Sequence, residues 1–144
     1  MSNSIPNVFL LNLEIGDGLL GSITCTLDLG VSPANQTVEG RSVVFQAISP
    51  ILHVQSIVTG TYNYLCTNTS CHIMIILTGY VDNGSGCLKN FEARILLEDD
   101  WKNGTANYSF LNDGKWTKVS NQKVKAVDSN GINDLGELAK EANH

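Results

Sequence analysis

Hydrophobic and polar residues alternate with a period of two along most of this chain. Ile23, Cys25, Leu27 and Leu29 alternate with Ser22, Thr24, Thr26 and Asp28. Phe91, Ala93, Ile95 and Leu97 alternate with Asn90, Glu92, Arg94 and Leu96, and Val43, Phe45 and Ala47 with Ser42, Val44 and Gln46. Successive side chains of a strand point to opposite faces, so this pattern marks extended strands with one buried face. Turn-forming clusters punctuate the runs at Gly16-Asp17-Gly18, Ser32-Pro33-Ala34-Asn35, Ser49-Pro50, Thr67-Asn68-Thr69-Ser70, Asp82-Asn83-Gly84-Ser85-Gly86, Asn103-Gly104 and Asp113-Gly114. The strands predicted between them cover about 8–15, 20–29, 37–48, 52–66, 71–81, 87–98, 105–111, 115–120 and 122–127. Short connections between long strands favour antiparallel neighbours. The expected fold class is all-β, an antiparallel meander of about eight or nine strands forming a barrel or a two-sheet sandwich.

The C-terminal segment departs from this period. Asp134 with Glu137 three residues on resembles a capping box, and Leu135, Leu138, Ala139 and Ala142 follow as one apolar stripe. A short amphipathic helix of this kind is marginal alone and must dock on something. Residues 1–127 are therefore expected to form the β-domain, and 128–144 a turn and short helix packed on it or on a neighbouring subunit.

From Ser42 to Val81 the chain contains no Asp, Glu, Lys or Arg. Soluble proteins carry a charge at about every fourth residue, so a gap of 40 residues is unusual. Its polar positions are Ser, Thr, Asn, Gln and Tyr, which gives strands with one apolar and one neutral polar face. Such a face can meet another surface without desolvating a charge.

The 144 residues, 42% of them apolar, make one domain with a self-sufficient core. A net charge of −5 argues against a nucleic-acid partner, which calls for a basic surface. Of nine Lys and Arg only Arg41 precedes Lys89, and Lys115, Lys118, Lys123 and Lys125 suit a solvated edge that resists unwanted pairing. The apolar run Ile73–Leu77 is too short for a membrane span, and no secretory signal is visible at the start. A cytoplasmic, soluble protein is expected. Its five N-x-S/T sequons, starting at Asn35, Asn68, Asn83, Asn103 and Asn107, then read as turn composition.

Candidate chemistry is sparse. Cys66 and Cys71 flank a four-residue loop and could pair as a disulfide, but without a signal peptide free thiols are the expected state, also for Cys25 and Cys87. A metal site is disfavoured because no C-x-x-C knuckle is present. Pairing Cys66 or Cys71 with His53 or His72 could make a nucleophile, but no third orienting group accompanies them. Asp128-Ser129-Asn130-Gly131 with Asp134 begins like a calcium loop, yet Ala139 stands where a bidentate acid is needed. Glu98, Asp99 and Asp100 fit a solvated corner. Trp101, Tyr108 and Trp116, beside Asn, Asp and Gly, are the residue types that stack on sugars, although core positions explain them as well.

The run Asp100-Trp101-Lys102-Asn103-Gly104-Thr105-Ala106-Asn107-Tyr108, followed by Gly114-Lys115-Trp116, resembles a bacterial family of unknown function, DUF1842. Gln46-Ala47-Ile48-Ser49-Pro50 and Val58-Thr59-Gly60-Thr61-Tyr62 are similar to it too, so the resemblance spans about Val8 to Val127. It implies no activity or catalytic residues.

The expected function is a non-enzymatic β-domain, without metal or cofactor, that self-associates into a homo-oligomer through uncharged strand faces or edges. Thr59, Thr61, Leu135 and Leu138 are its candidate contacts. The alternatives are a binding module for a glycan or small apolar ligand, centred on Trp101, Tyr108 and Trp116, and a Cys/His-dependent enzyme.

Overall fold

The alternating runs pair in chain order into one closed sheet. A computed structural model describes residues 8–19, 21–47, 51–82 and 84–127. Eight strands follow one another there: β1 (Phe9–Ile15), β2 (Thr24–Ser32), β3 (Thr37–Gln46), β4 (Leu52–Cys66), β5 (Cys71–Asp82), β6 (Cys87–Glu98), β7 (Asn103–Asn112) and β8 (Lys115–Ala126). Each is antiparallel to the next, and β8 returns to β1 through Leu13↔Ala126, Glu14↔Lys125 and Ile15↔Val124. The fold is an up-and-down barrel rather than a sandwich. The segment read as a C-terminal helix, with Leu135 and Leu138, lies outside the described residues.

The apolar face of every strand turns inward. Leu11, Leu13, Ile15, Cys25, Leu27, Leu29, Val31, Ile73, Ile75, Leu77, Phe91, Ile95 and Leu97 are all buried in one core. Eight strands enclose a lumen just wide enough for side chains to fill, and here large side chains fill it. Each buried Leu or Ile contributes about 1.5–3 kcal/mol by leaving water. The outer face carries Asp28, Glu39, Arg41, Glu92 and Arg94 at exposed positions. Apolar inside and charged outside is the reverse of a membrane-spanning barrel. Among the described residues no helix is long and apolar enough to cross a membrane.

Three local features differ from the sequence reading. The stretch divided at Ser120 is one strand: Ala106 opposes Gln122 while Tyr108 opposes Val119, so a bulge falls at Ser120–Asn121. Asn121 adopts φ 56°, and its N–H donates to Asn107 Oδ1 at 2.8 Å. Asn103-Gly104 is not a turn but the start of β7; the chain reverses over residues 99–102. Gly104 is needed in the strand, since a Cβ there would collide with the Leu96 carbonyl. In β3 the inward residues are Val38, Ser42 and Val44, leaving Val43 and Phe45 half-buried on the outer side.

Candidate functional site

The uncharged stretch builds the end of β3, all of β4 and nearly all of β5. Inward, these strands supply Val54, Ser56, Val58, Tyr62, Ile73, Ile75 and Leu77 to the core. Outward they present Gln55, Ile57, Thr59 and Thr61 on β4, beside Ile76, Thr78 and Tyr80 on β5. Ile57 is 61% exposed, Ile76 44% and Tyr80 38%, so the face is apolar as well as neutral. Thr59 and Thr61 sit at its centre, Thr59 opposite Thr78 and Thr61 opposite Ile76.

Apart from Asp82 at the end of β5, charges begin at the flanking strands. Glu39 on β3 is in register with Thr59, and Arg41 with Ile57. On the other side Glu92 is in register with Thr78, Lys89 with Tyr80 and Arg94 with Ile76. Lys89 Nζ and Glu92 Oε1 form an ion pair at 3.1 Å. An apolar centre with a charged rim is how protein interfaces are commonly laid out. The exposed apolar residues were missed in the sequence because Ile57, Ile76 and Tyr80 look like core residues in composition. Only their phase in the alternation, odd on β4 and even on β5, marks them as outward.

Gly60 fixes the shape of this face. A Cβ at Gly60 would meet the Ile76 carbonyl oxygen, so only glycine lets β4 and β5 approach there. At the far end of the same hairpin Cys66 and Cys71 are directly opposed and joined by a disulfide, not free as expected. Cys25 is free and buried, and Cys87 is free and exposed.

The three aromatic candidates do not form one site. Trp101 is buried in the β6–β7 turn, where φ 65° swings its ring into the barrel end. It packs edge-on against Phe9 and Tyr62, with centroids 5.2 Å and 5.1 Å away. Tyr108 is buried mid-barrel beside Phe91 and Phe110. Neither ring can stack on an outside sugar. The period of Ala106, Tyr108 and Phe110 already pointed inward. Trp116 alone is exposed, at 48%, on the part of β8 that pairs only with β7. It lies two residues from Lys118 on the outer face, beside a groove of about 430 Å³ whose polar lining includes Glu92, Arg94, Asn107, Ser109 and Lys118.

Among the described residues buried polar side chains are few. Ser56 Oγ donates to Asn90 Oδ1 at 2.7 Å, and Asn90 Nδ2 donates to the Gln55 carbonyl at 3.1 Å. Ser42 Oγ, Tyr62 Oη and Tyr108 Oη are buried without a hydrogen-bond partner among the described residues. Burial pushes the Tyr62 hydroxyl up to about 12, with the nearby Tyr64 adding to it. Burial likewise raises the Cys25 thiol and the Tyr108 hydroxyl, keeping both neutral.

Cys66 and Cys71 offer no free thiol to His53 or His72. The Cys66 and Cys71 sulfurs are bonded to each other, and His53 sits at the opposite end of β4 from Cys66. His72 Nε2 lies 3.6 Å from Glu98 Oε1, an outward cross-strand pair. Among the described residues no group of three His, Cys, Asp or Glu could hold a metal.

No curated protein matches the chain. The family model described as Domain of unknown function (DUF1842) does match, over residues 7–116 from just before β1 into the start of β8, and the chain belongs to that family.

Proposed function

We propose that this barrel is a non-enzymatic building block that self-associates through the outer face of β4 and β5. The observation that carries this reading is the exposed Ile57, Ile76 and Tyr80 set among Thr59, Thr61 and Thr78, with no charge on either strand before Asp82. Two copies of a chain of net charge −5 repel at most orientations. They approach at least electrostatic cost where neither carries a charge, and burial there removes apolar surface from water. The non-enzymatic reading is supported by the buried Cys25 thiol and the bonded Cys66 and Cys71. Light scattering on a gel-filtration peak tests it: a dimer or larger species is expected at high micromolar concentration, and a monomer there contradicts it.

A second reading, glycan binding, is supported by the groove beside Trp116. An exposed indole two residues along β8 from Lys118, which lines the groove with Arg94, Asn107 and Ser109, offers a stacking surface at the edge of those hydrogen-bonding groups. The filled lumen moves this reading off the barrel interior and off Trp101 and Tyr108. Neutral and acidic saccharides should raise the melting temperature of wild type and not of Trp116→Ala; no shift for any saccharide removes the reading.

A further inference from the structure

The register of β3 to β6 places the rim charges in matched rows across the neutral face. One row is Glu39, Thr59, Thr78 and Glu92; the next is Arg41, Ile57, Tyr80 and Lys89. Between them lies the row Gly40, Val58 and Gly79, whose residues face inward. Beyond the first comes Thr37, Thr61, Ile76 and Arg94. Acids thus occupy one row on both flanks and bases the adjoining row on both flanks.

A closed homodimer is isologous, so if residue i meets j then j meets i. Two such axes can bring the face onto itself. An axis running along the strands keeps each row in place and lays β3 over the second copy's β6. Glu39 then meets Glu92 and Arg41 meets Lys89, like charge on like charge at both edges. An axis running across the strands lays each strand antiparallel over its own copy and exchanges the two rows. Glu39 then meets Arg41, Glu92 meets Lys89, Thr59 meets Ile57 and Thr78 meets Tyr80. One row further out, Asp82 of one copy comes over Ile76 beside Arg94 of the other. Opposed sheets keep their strands within about 30° of parallel, an offset that long Glu, Arg and Lys side chains absorb.

Resting on the self-association reading above, we infer that a second copy of this chain docks outer face to outer face about a two-fold axis that crosses the strands at the Gly40–Val58–Gly79 row. Glu39 with the second copy's Arg41, and Glu92 with its Lys89, fix the orientation. Opposite charges at the rim select a binding mode mainly by penalising the wrong one.

Charge reversal and swap within the full chain test this placement by sedimentation equilibrium at low salt, where exposed pairs are least screened. Glu39→Arg should weaken the dimer about tenfold, because each substitution acts at two symmetry-related places. The double variant Glu39→Arg/Arg41→Glu restores opposite charges across the axis and should return the dissociation constant to within a factor of about three of wild type. Lys89→Glu/Glu92→Lys repeats the swap on the other flank, and melting temperatures confirm that each variant folds. A wild-type dimer that ignores the reversals, or a swap that fails to rescue Glu39→Arg, overturns this axis while self-association stands. A wild-type monomer at high micromolar concentration overturns both.

Discussion

Replacing Trp101 with Ala removes the ring that fills the barrel end where β1 begins. Trp101 is 1% exposed and sits edge-on to both Phe9 and Tyr62. A buried Trp→Ala change costs about 3–5 kcal/mol in lost transfer energy and cavity. Domains of this size are stable by about 5–15 kcal/mol, so the loss is a large share of the total. It corresponds to a fall of about 10 °C in melting temperature. The backbone sharpens the test. Trp101 holds φ 65° in the left-handed region, where an Ala is strained and a Gly is not. Trp101→Gly should therefore be no worse than Trp101→Ala, whereas in ordinary strand positions Gly is worse by about 0.5–1 kcal/mol. Urea unfolding followed by circular dichroism measures both variants. A loss below about 1 kcal/mol for Trp101→Ala would refute the closing role of this ring. A Gly variant clearly weaker than Ala would refute the backbone part.

Tyr108→Phe should stabilise the fold by about 1 kcal/mol in urea unfolding, because its hydroxyl is buried without a partner; a loss of that size would reveal an unseen one. The share of stability held by Cys25, Tyr62 and Tyr108 should be fully present below about pH 9 and be lost as pH rises toward 12. The unfolded chain ionises Cys25, Tyr62 and Tyr108 over that range, while burial holds the folded groups neutral, Tyr62 up to about 12. A profile that Tyr62→Phe and Tyr108→Phe leave unchanged would contradict this linkage. Gly60→Ala should cost at least about 2 kcal/mol, since its Cβ would meet the Ile76 carbonyl; a near-neutral result would mean β4 can shift away. The Cys66–Cys71 bond closes only a short loop, so unfolding free energies from urea titrations with and without thiol should differ by at most about 2 kcal/mol. A larger loss would mean that the bond supports more than its own hairpin.

The antiparallel meander was legible because period two leaves little choice once one face must be buried, as Cys25, Leu27, Leu29 and Val31 show, whereas its closure into a barrel rather than a sandwich rests on the pairing of β8 with β1. Legibility failed where both faces of a strand look alike. Val43, Val44 and Phe45 are all apolar, and the inward phase of β3 includes a serine, Ser42, that pattern alone sends outward. It failed again where backbone geometry overrides dipeptide preference. Asn103-Gly104 reads as a turn, but Gly104 is a strand glycine pressed against Leu96, and the reversal belongs to the Asp99–Lys102 segment with Trp101 in a left-handed conformation. The apparent break before Gln122 is the bulge at Asn121. The missing charges were visible in the sequence, whereas the acid and base rows beside them needed the strand register. Glu39 and Glu92 are far apart in sequence and share a row only through β4 and β5.

Self-association through the neutral face is tested most directly by sedimentation velocity of wild type and Thr59→Lys across one concentration series. Thr59 is exposed at the centre of that face, so lysine there leaves the core intact and forces a charge to be desolvated on contact. Wild type should sediment as a dimer or larger species at high concentration and Thr59→Lys as a monomer with an unchanged melting temperature. Two species of equal mass throughout the series, whether both monomeric or both assembled, would contradict association through this face.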